Sequence, residues 1–165
     1  MRAGSGSTAM GRTDRASRIV KAPPAAVYRA FIDPAALVEW LPPTGMTARI
    51  ETFEPKPGGH YRMALTYDAP DPSVRGKASE DTDIVEGRFV ELVQDERVVQ
   101  AVTFESDDPA FAGEMKMTWS IRSVAGGTEV GIVCENVPEG ISAADHAAGL
   151  SSTLDNLAEF VRRAV

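Results

Sequence analysis

Few side chains in this sequence belong to the types that perform acid, base or nucleophilic chemistry or that bind metal ions. There are two histidines, His60 and His146, and one cysteine, Cys134. Zinc and iron sites use several such ligands at short or regular spacings. The chain also lacks the Gly-x-Ser-x-Gly motif of serine hydrolases and a glycine-rich loop of the kind that cradles phosphates. The sequence therefore predicts no metal, no cofactor and no assigned catalytic residue.

His146 is the histidine best placed to act on a ligand. It lies in the first turn of a predicted helix, at the edge of the apolar face. A neutral imidazole in that position can orient a ligand or act as a base near neutral pH. The alternative is a histidine that faces solvent beside the positive end of the helix. His60 is expected to point outward, because it alternates with Tyr61 on a predicted strand.

The cysteine and one acidic cluster have structural interpretations. Cys134 alternates with Ile132, as a small buried apolar residue does. Glu80, Asp81 and Asp83 lie close together, but they lack the glycine and the regular spacing of a calcium loop. We therefore expect a buried thiol and a solvated acidic turn.

Large, soft apolar side chains dominate the inward positions of the predicted strands. Methionine adapts to varied apolar shapes, and tyrosine and tryptophan carry a polar tip on an apolar body. Such residues either fill a core or line a cavity for a flat or aliphatic ligand, and the pattern does not separate the two. Trp40, at the end of a short helix, either lies near a cavity mouth or caps the core. The inward residues are Tyr61, Met63, Leu65, Phe89, Phe104, Met115, Met117 and Trp119.

Alternation of apolar and polar residues, typical of strands, runs from residue 46 to residue 137. It predicts three hairpins with glycine-containing or polar turns, namely 47–55 with 59–68, 83–93 with 97–105, and 113–124 with 128–137. No spacer of helical length separates these hairpins, so we expect an antiparallel sheet. Residues 15–22 predict one further strand at the start.

Prolines and capping residues mark the predicted helices. Pro24 suits the first turn of a short helix, because its missing N–H would be unpaired there anyway. Asp33 caps a second short helix that runs through Trp40. Ser142 and Asp145 form a capping pair for a long final helix. The predicted apolar face of that helix consists of Ala143, Ala147, Leu150, Leu154, Leu157 and Val161.

Length and charge limit the organisation of the chain. With 165 residues, 43% of them apolar, the sequence suits one domain over residues 14–165, preceded by a disordered tail at 1–13. The net charge of −7 disfavours binding to nucleic acid. No secretory signal and no apolar run of membrane-spanning length is present, and the single cysteine suits a reducing compartment. We therefore expect a cytoplasmic protein without stable membrane insertion.

Five stretches resemble a known superfamily. They are VKAPPAAVYRAFIDPAALVEWLPP (20–43), FEPKPGGHYRM (53–63), VEGRFVELVQDERVVQAVTF (85–104), GGTEV (126–130) and GLSSTLDNLAEFV (149–161). With the order of the elements, they are similar to the START/Bet v 1-like (SRPBCC) superfamily and, within it, to the branch named after the activator of Hsp90 ATPase (AHSA1-like). The resemblance implies an α+β helix-grip fold. In it, a curved antiparallel sheet of about seven strands, with two short helices after the first strand, wraps a long C-terminal helix and leaves an apolar cavity between them.

Such folds host lipid carriers, polyketide cyclases and co-chaperone domains, so three functional hypotheses follow. The first is non-enzymatic binding of a small hydrophobic or amphipathic molecule in the cavity. The second is a cyclase, aromatase or hydrolase that uses the same cavity, with His146 or a tyrosine as acid or base. The third is a stress-related or co-chaperone-like interaction module. The residues predicted to line or gate the cavity are Trp40, Tyr61, Met63, Phe104, Met115, Met117, Trp119, His146 and Leu150.

The first hypothesis is favoured because the sequence shows no paired catalytic groups. The loops 68–82 and 105–112 are candidates for gating the cavity, since both are polar and contain proline. An open sheet also allows a homodimer through an edge strand, although no residue specifies one.

Overall fold

A computed structural model describes residues 11–42, 45–67, 82–106 and 108–164. The strands are β1 (Arg12–Val20), β2 (Met46–Phe53), β3 (His60–Tyr67), β4 (Thr82–Val93), β5 (Arg97–Phe104), β6 (Met115–Val124) and β7 (Gly127–Val137). Two short helices, α1 (Pro24–Ile32) and α2 (Pro34–Trp40), follow β1, and the long helix α3 (Ala143–Ala164) comes last. A single 3-10 turn, Pro109–Phe111, lies between β5 and β6.

All seven strands form one antiparallel sheet in the order β1-β7-β6-β5-β4-β3-β2. Strands β2 to β7 follow one another as hairpins, and β1 joins the far edge beside β7. This is the curved α+β helix-grip architecture that the family resemblance implies. Strands β1 and β2 are the two edges, and the pairing of two copies through such an edge stays a prediction.

The turns of the described hairpins follow from residues that accept positive φ. Asp95 adopts φ 62° between β4 and β5, and Gly126 adopts φ 89° between β6 and β7. Short polar side chains and glycine tolerate this left-handed conformation better than other residues do. The alternation of buried and exposed residues along β6 agrees with the predicted period of two.

The helices begin where the capping residues predict. The Asp33 carboxylate accepts a hydrogen bond from the backbone N–H of Ala35 at 3.0 Å, and Ser142 Oγ accepts one from the N–H of Asp145 at 3.0 Å. Each bond satisfies a backbone donor that the first turn of a helix leaves unpaired.

Helix α3 packs against β1, α1 and α2. Leu150, Leu154, Leu157 and Val161 are buried as predicted, and they belong to the same core as α1 and the sheet. The first turn differs from the prediction, because Ala143 and Ala147 are exposed. The inward face there begins at His146, four residues before Leu150, which brings the histidine onto the buried side of the helix.

Strand β1 occupies Arg12–Val20 rather than the predicted 15–22. Arg12 and Thr13, which the sequence assigned to the tail, are therefore part of the sheet, where Arg12 lies opposite Val137. Residues 1–10 of the predicted tail lie outside the described residues, as does nearly all of the predicted gating loop 68–82.

Candidate ligand-binding site

A cavity of about 700 Å³ lies between the concave face of the sheet and the helices α2 and α3. Most of its wall is apolar, and four of the lining side chains are methionines. The sheet contributes Met46, Ile50, Phe53, Tyr61, Met63, Leu65, Tyr67, Asp83, Val85, Gln100, Val102, Phe104, Met115, Met117 and Trp119. The helices and their connections contribute Phe31, Leu37, Leu41, Phe111, Gly140, Ile141, Asp145, His146, Gly149, Leu150 and Thr153.

Eight of the nine residues predicted to line or gate a cavity meet at this one. Six come from the sheet and two from α3, namely Tyr61, Met63, Phe104, Met115, Met117, Trp119, His146 and Leu150. From the predicted gating loop 105–112, Phe111 also reaches the cavity wall.

Trp40 does not line the cavity. It is completely buried, and its Nε1–H donates to the Ala30 carbonyl at 3.0 Å. Its ring packs edge-on against Phe31 and Trp119, with centroid distances of 5.0 and 5.9 Å. Phe31 and Trp119 do reach the cavity, so the structure places Trp40 in the core behind them, the second of the two positions that the sequence allowed.

One row of side chains crosses the concave face from the β1 edge towards the middle of the sheet. Strand pairing places Asp14 opposite Cys134, Cys134 opposite Met117, and Met117 opposite Gln100. Residues paired in this way point to the same side of a sheet. Gln100 Oε1 accepts a hydrogen bond from Nε1–H of Trp119 at 3.2 Å, which satisfies the buried indole.

The Tyr61 ring lies directly against a glycine on the sheet wall. A Cβ added to its cross-strand partner Gly87 would lie 2.3 Å from the ring, so only glycine leaves room for this tyrosine. Burial raises the pKa of the Tyr61 phenol, which keeps the hydroxyl protonated at neutral pH. Among the described residues the hydroxyl has no hydrogen-bond partner, whereas buried polar groups usually have one.

His146 is the end of a chain of polar contacts on the helix wall. Its Nδ1 lies 2.6 Å from Oδ2 of Asp14, and both side chains are largely buried. Two guanidinium nitrogens of Arg12 donate to the Asp14 carboxylate at 2.9 Å, and Nη2 of Arg12 also donates to the carbonyl of Ile141 at 2.6 Å. The hydrogen bonds from Arg12, and then the one from His146, hold the pKa of Asp14 below its ordinary value.

The spacing of residues on β1 matches that on α3. A second ion pair, Arg18 with Asp155 at 2.7 Å, joins the same two elements farther along. Arg18 is four positions after Asp14 on the strand, a distance of about 13 to 14 Å. Asp155 is nine positions after His146 on the helix, a rise of about the same distance. Strand and helix therefore run side by side in a fixed register.

The cavity also contains acidic groups. Asp83 is only 4% exposed, and Asp145 lines the wall from the first turn of α3. Burial, and then the charges of Asp83 and Asp145, raise the pKa of the nearby Tyr67. The expectation that Asp83 belongs to a solvated turn is corrected, since it lies in β4 opposite Leu65. Glu80 and Asp81 lie outside the described residues.

The other candidates for special chemistry have structural roles. Cys134 is fully buried, and burial, together with the charge of Asp14, raises its thiol pKa to about 12. The thiolate that would act as a nucleophile is therefore disfavoured. His60 is exposed, as predicted. Within the described part of the chain, no group of three or more His, Cys, Asp or Glu side chains is arranged to hold a metal ion.

The α3 helix is long, but its solvent-exposed face carries charged side chains, which do not suit a membrane span. No helix among residues 11–42, 45–67, 82–106 and 108–164 combines the length and the apolarity needed to cross a membrane.

A family model agrees with this architecture over most of the chain. The model described as Activator of Hsp90 ATPase homolog 1-like protein matches residues 21–162. The chain belongs to this AHSA1-like family. Family members have an SRPBCC fold of the ligand-binding or co-chaperone type, as the resemblance in the sequence implied. The match begins after β1, so Arg12 and Asp14 precede it.

Several solved structures are also similar to this chain. A protein from Chromobacterium violaceum is 34% identical, with a TM-score of 0.79 over 90% of this chain and 96% of that one. A protein from Rhodobacter sphaeroides is 23% identical, with a TM-score of 0.73 over 93% and 95%. An AHSA1-like protein from Aeromonas hydrophila shares the fold at 16% identity, with a TM-score of 0.69 over 93% and 94%. No curated protein matches the chain significantly.

The sequence reasoning missed several residues that line this AHSA1-like cavity or, like Arg12 and Asp14, hold a residue that lines it. Arg12 was assigned to the tail and Asp14 to the domain boundary. Their spacing of two residues from each other and from Ala16 could have indicated that all three lie on one face of a strand. Gly149 was not singled out, although it lines the cavity and a Cβ at this position would meet no atom within 4 Å. The inward position of Gln100 was hidden because almost every residue of β5 is buried.

Proposed function

We propose that this protein binds a small hydrophobic or amphipathic molecule, without chemical reaction, in the cavity between the sheet and α3. The observation that carries the proposal is a cavity of about 700 Å³ with a largely apolar wall. Small-molecule sites in proteins enclose roughly 300 to 1,000 Å³ and combine apolar lining with a few polar groups.

The lining supports this function in a second way. Methionine side chains from three strands adapt to the outline of a ligand. The Tyr61 hydroxyl lies in the same wall and has no partner within the described part of the chain. A bound molecule with a hydrogen-bond acceptor would satisfy this donor, which gives an amphipathic ligand an advantage over a plain hydrocarbon.

The contact between Asp14 and His146 supports a second candidate, a cyclase-, aromatase- or hydrolase-like enzyme. A carboxylate that fixes a histidine ring is a frequent arrangement for a general base. Binding remains preferred, because burial keeps the Tyr61 phenol protonated and disfavours the Cys134 thiolate, so neither side chain is prepared to act as a base or nucleophile beside His146. The interaction-module hypothesis has less support, since the large apolar residues described as exposed are Ile19 and Val90, which lie on different strands.

Filling the cavity from α3 tests the proposal. Gly149 lines the cavity, and a Cβ at this position would meet no atom within 4 Å, so Gly149→Leu extends a side chain into that open space. With the neutral dye Nile red as probe, we expect blue-shifted emission with the original protein and at least about tenfold weaker binding to Gly149→Leu.

Gly149→Ala is the matched control. It makes a similar change to the helix backbone but adds only one carbon, and it should raise stability by about 1 kcal/mol while retaining dye affinity. Equal dye affinity of the leucine and alanine variants, or no dye binding by the original protein, would contradict the proposed cavity function.

A further inference from the structure

The polar chain Arg12–Asp14–His146 gives the cavity a chemical preference that its apolar lining does not. Asp14 accepts two charge-assisted hydrogen bonds from Arg12, so its carboxylate is ionised at neutral pH. An ionised carboxylate has no hydrogen to donate, and the hydrogen between Asp14 Oδ2 and His146 Nδ1 therefore belongs to the histidine. In a neutral imidazole this leaves Nε2 as a hydrogen-bond acceptor.

That acceptor belongs to a side chain that lines the cavity. His146 lines the cavity, and its hydrogen bonds use its backbone N–H and Nδ1. Within residues 11–42, 45–67, 82–106 and 108–164, Nε2 has no partner. The ring cannot turn without losing its bond to Asp14, and Asp14 is held by Arg12, which also donates to the Ile141 carbonyl. Nε2 is therefore a pre-oriented group, and a ligand that satisfies it gains affinity at little entropic cost.

We propose that Nε2 of His146 is an acceptor subsite and that the ligand is an apolar molecule whose hydroxyl group donates to it, with Asp14 and Arg12 as positioning residues. This inference rests on the proposed binding function and names the class of molecule that the site prefers.

The charges around the subsite favour a neutral hydroxyl over an anion. Asp14, paired with Arg12, lies against the histidine ring, and Asp145, a solvent-exposed residue that precedes His146 on α3, also borders the cavity. On the sheet wall Asp83 contributes a further carboxylate, while Cys134 beside Asp14 stays a neutral thiol. Carboxylates that share a low-dielectric space with an anionic ligand repel it. A carboxylic acid in its ionised form is therefore disfavoured relative to a phenol or an alcohol.

Three probes with one ring system test the inference by calorimetry at pH 8. They are 2-naphthol, which has a hydroxyl donor, 2-methoxynaphthalene, which has none, and 2-naphthoate, which is an anion. We expect 2-naphthol to bind about tenfold more tightly than the methoxy compound, the value of one neutral hydrogen bond, and 2-naphthoate to bind most weakly. Hydrophobicity alone predicts the opposite order for the first two probes, because the methoxy compound is more apolar.

Variants test whether the preference for 2-naphthol over 2-methoxynaphthalene depends on His146 and Asp14. His146→Phe should bring the ratio of the first two affinities to one or below, and Asp14→Ala should reduce it because the ring is no longer held. Asp155→Ala is the matched control: it removes the other ion pair between β1 and α3 but lies away from the cavity lining, so it should keep the original ratio.

The tautomer is read directly in the original protein, whatever the variants do to folding. The ring-nitrogen NMR shifts of His146, distinguished from those of His60 with His60→Gln, should show hydrogen on Nδ1 and an unprotonated Nε2. The reverse tautomer, equal binding of the first two probes, an unchanged ratio in His146→Phe, or tightest binding of 2-naphthoate would overturn the inference while leaving cavity binding intact. Failure of all three probes to bind would overturn both the inference and the proposed function.

Discussion

Two arginine–carboxylate networks, one on each face of the sheet, use the same chemistry in different surroundings. On the convex face Arg62 contacts Glu51, Glu86 and Glu105 at 2.5 to 3.1 Å, yet each of these side chains is at least 32% exposed. On the concave face Asp14 contacts Arg12 and His146 at 2.9 and 2.6 Å, and Asp14 and His146 are 15% and 13% exposed.

The two networks have contacts of similar length but differ in how far water reaches their carboxylates. Water and salt screen the convex pairs, so the loss of one partner is readily compensated. The Asp14 carboxylate has little access to water, so it depends on Arg12 and His146, and they depend on it. The convex network consists of solvated ion pairs on the sheet surface, whereas the concave network fixes the orientation of the His146 ring.

Glycines on the two faces provide the largest expected contrast. A Cβ at Gly87 on the concave face would lie 2.3 Å from the Tyr61 ring, which is enclosed by Phe53 and Phe89. Gly87→Ala should therefore destabilise the fold by about 2 to 3 kcal/mol and displace Tyr61, as measured by urea unfolding.

Gly131 is the matched position on the convex face. A Cβ there would lie 2.8 Å from the Ser120 hydroxyl oxygen, the end of a side chain that can rotate away. Gly131→Ala should change the free energy of unfolding by less than about 1 kcal/mol. Similar losses in the two variants would show that the concave face is no more tightly packed than the convex one.

Acid should expose the role of Asp14. Arg12 holds the pKa of Asp14 below its ordinary value of 3.8, so the folded chain binds fewer protons than the unfolded chain over that interval. The stabilisation is full above the ordinary value and disappears as the pH falls through the lowered pKa. We expect Asp14→Asn to lower Tm by about 5 °C at pH 7, with the gap to the original protein closing below about pH 4. Thermal melts from pH 2 to pH 7 measure this, and a gap that stays constant would rule out the linkage.

The smallest effect is expected for Arg62→Gln on the convex face. Although this change breaks three ion pairs, the exposed partners regain water, and Tm should fall by only about 1 to 2 °C. The remaining difference should vanish in 1 M NaCl, where screening is strong. A loss as large as that for Asp14→Asn, or one that persists in salt, would remove the distinction between the two networks.

The order of the elements was predictable because local signals determine it. Alternation along β6, glycine turns, and the caps at Asp33 and Ser142 each act within a few residues, and each prediction is confirmed. The order of strands β2 to β7 in the sheet follows from the order in the sequence, since hairpins bring neighbouring strands together. The fold class therefore followed from short-range physics and from the family resemblance.

The polar part of the site was not predictable in this way. Asp14 meets His146 across 132 residues, and this contact depends on how β1 lies along α3. The same limit applies to Trp40, whose position behind Phe31 depends on how α1 and α2 pack against β6. Sequence patterns identify which face of an element is apolar, but not which distant element covers it.

The pairing of β1 with β7 also determines at which stage of folding the binding site forms. Arg12 lies opposite Val137, so this pairing closes a loop of about 125 residues, whereas the hairpins from β2 to β7 close short ones. Long loops are slow to close, because their entropy is lost before any contact compensates for it. During synthesis the sheet from β2 to β7 can therefore form first, with α3 and β1 joining it last. In that order of folding, His146 meets Asp14 only at the final step, and the proposed ligand would bind finished molecules rather than nascent ones.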